Sequence, residues 1–206
     1  MFIPRHPVVE NQFCSYGAQT GTSSAGIGGV VAYAGSVVYL DANAANEEPM
    51  VYKMKYDATP FVPFGFLMQK VKTGYHQVHP AGFYMPGDLG SSDVIAQPQY
   101  NASGVITGTK SAPVGVAHLG IWDTVHYTCV GGAEPSEKMA PGSTLYPAAD
   151  DGKVTNSTVA ANGSDTVGER ASSVAVARVV KGASLAKCSA NINNTTLYPI
   201  RIKLLV

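Results

Sequence analysis

The chain has 206 residues, with 14 Lys and Arg against 14 Asp and Glu, so its formal net charge is zero. Charged residues make up 14% of the chain, whereas soluble domains average about 25%. A neutral, charge-poor surface favours association, because soluble monomers usually keep away from zero net charge. The same balance argues against nucleic acid as a partner, since phosphate binding needs a clustered excess of cations.

The N-terminal sequence, the apolar stretches and the cysteines predict the cellular location. Residues 1–7 contain no basic segment followed by an apolar run, so they do not have the pattern of a signal peptide. No stretch approaches the ~20 apolar residues of a membrane span. Cys14, Cys129 and Cys188 are odd in number and widely spaced, which favours a reducing interior over a disulfide framework. We therefore expect synthesis in the cytoplasm and no membrane partner.

Residues 1–28 are predicted to form an extended N-terminal arm. Pro4 and Pro7 oppose regular structure, and residues 17–29 consist largely of Gly, Ser, Thr and Ala. Spaced apolar anchors along this segment cannot be buried by an extended chain alone, which indicates docking on a neighbour. The anchors expected to make assembly contacts are Phe2, Ile3, Phe13 and Tyr16.

From residue 29 to residue 206 the pattern is typical of short strands separated by turns. Residues 30–40 predict a strand that is broken at Gly35, and residues 50–56 alternate apolar residues with Lys53 and Lys55. Residues 65–71 predict a buried strand. Residues 113–119 and 123–130 are predicted to pair in antiparallel fashion around Gly120.

The C-terminal third has the clearest strand patterns. Residues 145–146 and 153–155 flank a tight turn at Asp151-Gly152 and predict a hairpin. Residues 173–180 are small and β-branched, and residues 200–205 alternate cleanly, with Ile200 facing inward. Turns recur about every ten residues, so the predicted fold is all-β, a sandwich or small barrel of short antiparallel strands.

Two long polar loops interrupt this pattern, at residues 74–92 and 156–165. Loops of this kind on a β scaffold often carry the binding function. Tyr75, Phe83 and Tyr84 in the first loop are further candidates for assembly contacts, because aromatic side chains anchor interfaces. The only candidate helix, residues 135–139, is too short to carry a fold.

A metal site is the sharpest chemical alternative. His76, His79, His126 and Cys129 offer nitrogen and sulfur ligands of the kind that zinc prefers. On a strand, however, residues three apart point to opposite faces, so His126 and Cys129 diverge. We expect no metal site: a half-exposed histidine and a small core cysteine explain the second pair.

Other catalytic and cofactor motifs fail on spacing. Residues 104–111 have three residues between their glycines and place Thr109 before Lys110, which does not match a phosphate loop. No Gly-x-Ser-x-Gly elbow occurs, and the neighbouring acids Asp150 and Asp151 do not suggest a convergent pair. We therefore expect no enzyme activity, no catalytic residues and no cofactor.

The order of the strand segments resembles that of the head decoration, or cement, proteins of tailed bacteriophages. The resemblance covers roughly residues 30–206. It rests on the following segments: Gly35-Ser36-Val37-Val38-Tyr39-Leu40-Asp41, Pro63-Phe64-Gly65-Phe66-Leu67, Pro113-Val114-Gly115-Val116-Ala117, the hairpin of residues 141–155, Val167-Gly168 and the last strand.

The resemblance implies a structural virion protein that binds the outer surface of a phage head and stabilises it through non-covalent contacts. Its partners would be the major capsid protein and copies of itself, with a trimer favoured over a dimer. Two other functions stay open. One is a phage tail tube or adaptor subunit. The other is a carbohydrate-binding or receptor-binding module that uses aromatic residues of the 74–92 loop.

Overall fold

The computed structural model describes residues 2–5, 11–19, 30–41, 49–57, 61–73, 93–100, 102–104, 106–128, 139–149, 152–161, 168–182 and 199–206. Strands and turns account for all of the regular structure in these ranges, and no helix occurs in them. The predicted all-β class is therefore confirmed. The candidate helix of residues 135–139 lies outside the described residues except for Met139, which is buried.

One sheet has seven strands in the order β1-β10-β15-β14-β12-β13-β11. Neighbouring strands run antiparallel except β11 and β13, which are parallel. The strands are β1 (Phe2–Pro4), β10 (Ile121–Thr124), β11 (Tyr127–Thr128), β12 (Thr144–Pro147), β13 (Val154–Thr155), β14 (Ala177–Lys181) and β15 (Ile200–Leu204).

The other sheet has eight strands in the order β2-β5-β4-β6-β9-β8-β7-β3, and an additional pairing joins β2 to β9. Because this sheet contains the barrel described next, the seven-stranded sheet is called the second sheet below. That pairing closes β2, β5, β4, β6 and β9 into a five-stranded barrel, from which β8, β7 and β3 extend. Closure removes the free edges that an open sheet would present. The strands are β2 (Asn11–Gln19), β3 (Val30–Ala32), β4 (Val37–Leu40), β5 (Met50–Lys53), β6 (Gly65–Leu67), β7 (Lys70–Thr73), β8 (Asp93–Tyr100) and β9 (Ile106–Ala117).

Two strands of the barrel wall are buried on both faces. In β4, Val38 joins the core inside the barrel, whereas Val37 and Tyr39 join the core between the two sheets. In β6, Leu67 faces the barrel interior and Phe66 faces the other core. Successive residues of a strand point to opposite faces, so an uninterrupted apolar run is what a wall between two cores requires. The two sheets are thus joined through one shared layer.

The hairpin predicted around Gly120 is wrong. β9 pairs with β2, β6 and β8, whereas β10 pairs with β1 and β15 in the other sheet. Gly120 adopts a φ of 115°, a conformation that glycine reaches without steric cost. The turn there carries the chain from one sheet to the other, and local alternation does not distinguish this path from a hairpin.

Several of the local predictions are confirmed. The 30–40 segment is broken at Gly35, whose φ is 95°, and the residues before and after it form β3 and β4. β12 and β13 pair across the turn at Gly152. In β15, Ile200, Ile202 and Leu204 are buried as the alternation predicts.

The described residues near the N-terminus form paired strands. β1 pairs with β10 in one sheet, and β2 pairs with β9 and β5 in the other. Within residues 1–28, β1 and β2 therefore pair with strands from the rest of the chain. The physical reason is that β9 offers a partner edge along most of its twelve residues, which satisfies the backbone of β2.

Candidate functional site

A serine and a histidine meet where the barrel contacts the second sheet. Ser36 Oγ lies 3.1 Å from His126 Nε2, and the backbone N–H of His126 donates to Thr124 Oγ1 at 3.0 Å. The ring of Tyr33 lies 5.5 Å from the imidazole, centroid to centroid. A Cβ on Gly35 would come within 2.9 Å of Thr124 Oγ1, so the turn approaches this group as closely as only glycine allows.

This pair has the distance of a nucleophile and its base, but its position is that of a structural link. Ser36 is completely buried and His126 is 8% exposed, so a substrate carbonyl has no access to the serine oxygen in this structure. The histidine predicted to be half-exposed is instead buried and hydrogen-bonded. The pair ties the turn before β4 to the segment after β10, and so helps to hold the barrel against the second sheet.

Asp123 on β10 is the buried charge of the second sheet. Its Oδ2 accepts a hydrogen bond of 2.6 Å from Arg5 Nε, and its Oδ1 accepts one of 2.8 Å from Arg201 Nε. The hydrogen bond from Arg201, supported by that from Arg5, holds the pKa of Asp123 below its ordinary value, although burial acts in the opposite direction. The carboxylate thereby links the end of β1 to β15 across β10.

Replacement of this carboxylate is expected to cost stability in a pH-dependent way. Asp123→Asn leaves two arginines without their counter-charge, so we expect a loss of about 1–2 kcal/mol in the free energy of unfolding at neutral pH. A lowered folded pKa contributes stability above the unfolded pKa of about 4, and this contribution is lost as the pH falls through the folded value. Urea unfolding at neutral and at acidic pH measures the difference. An equal gap between the two proteins at both pH values would contradict the ion-pair assignment.

Three aromatic side chains cluster on the outside of the barrel wall. The rings of Tyr39 and Phe61 are stacked, with centroids 3.9 Å apart and an angle of 7° between their planes. Tyr52, opposite Tyr39 on β5, adds a third ring at 5.8 Å from Tyr39. We call Tyr39, Tyr52 and Phe61 the aromatic cluster. It lies at the margin of the core between the sheets, because Tyr52 and Phe61 pack against that core and stay partly exposed.

Electrostatics keep the phenols of the cluster neutral. Burial raises the pKa of Tyr39, and the nearby charges of Tyr52, Asp41 and Asp57 raise it further. Burial and the adjacent carboxylate of Asp41 also raise the pKa of Tyr52. The Tyr52 hydroxyl lies 3.2 Å from Met50 Sδ and also reaches the Asp41 side chain. The hydroxyl donates to Met50 Sδ, and the neighbouring Asp41 carboxylate disfavours loss of the phenol proton.

Exposed apolar residues flank the aromatic cluster along the chain. Val62, directly after Phe61, is 73% exposed, and Leu40, directly after Tyr39, is 41% exposed. Tyr56 is also exposed, and its backbone N–H is held by the carbonyl of Ala149. Single exposed apolar residues are common, but their concentration around stacked aromatics is typical of a contact surface. We take the aromatic cluster with Val62 and Tyr56 as the candidate functional site and call it the apolar surface. Leu40 points to the opposite face of β4 from Tyr39 and is not part of it.

Two of the predicted contact residues, Phe2 and Tyr16, have described side chains, and both are buried. Phe2 is 8% exposed and stacks on Trp122 at 4.3 Å, and Tyr16 is buried in the barrel core. Both side chains therefore make their contacts within this chain. Ile3 lies opposite Asp123 on β1, and Phe13 lies opposite Gly115 on β2. Tyr75, Phe83 and Tyr84 lie outside the described residues, so their role stays a prediction.

One residue of the apolar surface has a signal in the sequence, because Phe61 clusters with Phe64 and Phe66 as a possible anchor for contacts between subunits. Phe61 follows Pro60 and precedes Val62 and Pro63, a run of apolar and proline residues that has no strand period. Within the described ranges no group of three or more His, Cys, Asp or Glu is placed to hold a metal ion. Of the histidines and cysteine discussed as metal ligands, only His126 is described. The same ranges contain no helix that is long and apolar enough to cross a membrane.

Comparisons with known proteins add no relative to this picture. The scan against protein-family models gives no match, and neither the curated proteins nor the solved structures contain a significant match.

Proposed function

We propose that the protein is a structural subunit that attaches to the outer surface of a phage head and reinforces it through non-covalent contacts. In this proposal the major capsid protein is the partner, and copies of the chain associate with one another, a trimer being favoured over a dimer. The subunit would reside on the capsid surface of the virion after synthesis in the host cytoplasm.

The apolar surface is the observation that carries the proposal. Val62 exposes most of its side chain beside stacked rings, on a barrel wall whose strand β4 is buried on both faces. A surface of this kind is rigid before it meets a partner, so little ordering entropy is lost on contact. Many copies on one lattice then multiply a modest contact energy per subunit. A cement protein needs these two properties and no reacting group.

The segments that carry the resemblance also lie next to one another. The segments around β4, β6 and β9 form three adjacent strands of the barrel. The hairpin of β12 and β13 lies in the second sheet with the last strand, β15. The segments named for the resemblance thus fall into two groups of strands, one in each sheet of this chain.

A sedimentation experiment tests the proposal. Purified protein is mixed with expanded phage heads that lack decoration protein, and the fraction that pellets with the heads is measured. We expect Val62→Asp to lower the affinity about tenfold or more, because the contact would bury an unpaired carboxylate. Val159→Asp makes the same charge change at a residue that is 52% exposed in the second half of the chain, and should bind as the natural protein does.

Each outcome of this experiment has a definite meaning. Failure of the natural protein to pellet with the heads would contradict attachment to a phage head. Attachment that Val62→Asp leaves unchanged would contradict the role of the apolar surface. Light scattering of the free protein tests the oligomer separately, since a trimer or dimer is expected and a monomer would contradict self-association.

Carbohydrate binding is an alternative function for the aromatic cluster. Sugar recognition uses a free aromatic face for stacking, but the Tyr39 ring is only 6% exposed because Phe61 stacks on it. The geometry thus favours a protein contact over a sugar at this place. A glycan array with hits that Phe61→Ala removes would reverse this preference.

A further inference from the structure

Cationic side chains gather on the outer face of the seven-stranded sheet. β14 and β15 alternate so that Val179 and Ile202 point into the core, which places Arg178 and Lys203 on the opposite face. An irregular register between Val179 and Lys181 leaves both Val180 and Lys181 exposed. Such a bulge changes which way the following side chains point. The outer face also carries two arginines, and the whole set, which we call the basic face, is Arg5, Arg178, Lys181, Arg201 and Lys203.

The register places like charges directly opposite each other on neighbouring strands. Arg178 on β14 faces Lys203 on β15, and Lys181 faces Arg201. Like charges in such cross-strand positions repel and reduce the stability of a sheet. A sheet selected for stability alone would place an acidic residue in one strand of each pair. In the second pair Arg201 already has the counter-charge of Asp123, whereas Arg178 and Lys203 have no acidic partner among the described residues. This uncompensated pair indicates that the face meets an external anion.

Only one acidic side chain of the described residues compensates this face. Asp123 pairs with Arg5 and Arg201, and within the described parts of the chain no ion pair or hydrogen bond involves the side chain of Arg178, Lys181 or Lys203. Among the described residues, these five cationic side chains are paired with one carboxylate, a formal excess of four positive charges in that part of the chain. This concentration is notable because the net charge of the whole chain is zero.

We propose that the basic face is a docking site for an acidic surface of a partner protein. This inference rests on the proposed function, because it assumes that the acidic surface belongs to the assembly to which the protein attaches. Charge complementarity sets the occupant: carboxylates of the partner would lie between the rows of Arg178, Lys203 and Lys181 and remove the repulsion between them. The aliphatic side chain of Val180, 44% exposed, suits a protein surface at the edge of the same face.

Nucleic acid is a less suitable occupant. Binding of single strands relies on exposed aromatic side chains that stack on bases, and duplex recognition inserts an element into a groove. Two aromatic residues of this sheet near the basic face are engaged within the chain. Trp122 is 1% exposed and points into the core, and the guanidinium of Arg170 lies 5.4 Å from the ring centroid of Tyr146 on β12. Neither of these two rings is therefore a free platform for stacking on bases.

Binding of a fluorescein-labelled oligoglutamate peptide, followed by anisotropy at low salt, tests the inference. We expect saturable binding that weakens as salt is added, because contacts between exposed charges are screened. Arg178→Glu should weaken binding about tenfold or more, since it replaces an attraction with a repulsion. Lys55→Glu makes the same charge change at an exposed lysine outside the basic face and should change the affinity by less than about twofold.

A second variant separates a binding role from a structural one. Lys203→Glu places a carboxylate opposite Arg178, so it should raise the melting temperature while it weakens oligoglutamate binding. If the pair of Arg178 and Lys203 stabilised the fold, Lys203→Glu would instead lower the melting temperature. Loss of binding by the Lys55 variant to the same extent, or no binding by the natural protein, would overturn the docking site.

Binding of an oligothymidylate with the same charge as the oligoglutamate tests whether the partner is a nucleic acid instead of a protein. Tighter binding of this strand than of oligoglutamate, lost in Arg178→Glu, would replace the protein partner with nucleic acid. The proposed function is tested separately by the phage heads. If phage heads bind the Arg178→Glu variant normally, the basic face is not a docking site but the proposed function stands. If the natural protein binds oligoglutamate but not phage heads, the docking site stands and the proposed function does not.

Discussion

Removal of residues 1–28 is expected to leave a chain that does not fold cooperatively. β2 lies between β5 and β9 and closes the barrel, so its loss exposes the interior around Val51 and Val114. β1 carries Phe2, whose ring stacks on Trp122 and lies 5.8 Å from that of Phe66. The stability of a whole domain is only about 5–15 kcal/mol, so the loss of two strands and their core residues exceeds what remains.

The measurement is thermal and urea unfolding of the truncated chain, followed by circular dichroism. We expect no cooperative transition, in contrast to an arm that could be removed without loss of the fold. Phe2→Ala is the graded version and should lower the free energy of unfolding by about 3–5 kcal/mol, as large-to-small changes of buried aromatics do. A truncated chain that unfolds with a normal sharp transition would restore the independent arm and reject this role of β1 and β2.

Sequence patterns predicted the parts of this fold that depend on neighbours in the chain. The last strand alternates because only its inner face is buried, and the hairpin of β12 and β13 follows from the turn at Gly152. The alternation of residues 50–56 places Val51 on the same face as Lys53 and Lys55. Val51 is nevertheless completely buried, because the barrel is closed and has an interior of its own.

The parts that depend on distant partners were not predictable in this way. The ion pairs of Asp123 join residues separated by 118 and 78 positions, and the pairing of β2 with β9 spans a similar distance. The basic face arises only when the register of β14 and β15 is known, since Arg178 and Lys203 look like ordinary surface residues in the sequence. The balanced net charge of the chain gives no sign of a cluster of cations, because the cluster forms only when β14 and β15 pair.

Phe66→Ala is expected to destabilise both halves of the molecule at once. Phe66 is completely buried in the core between the sheets, although β6 has only three residues. The strand is also part of the barrel wall, because Leu67 next to it faces the barrel interior. We expect a loss of about 3–5 kcal/mol in the free energy of unfolding, from lost contacts and a cavity that the wall cannot fill.

The same variant tests whether the shared wall makes the molecule one cooperative unit. If β4 and β6 serve both cores, the barrel and the second sheet should unfold in a single transition whose midpoint falls in Phe66→Ala without a change in slope. Val62→Ala, four residues earlier and 73% exposed, is the control and should change stability by less than about 0.5 kcal/mol. Two separate transitions in the Phe66 variant would show that the sheets fold independently. The apolar surface on the barrel and the basic face on the second sheet would then not be held in a fixed relation, whereas a single transition means that one rigid body presents both.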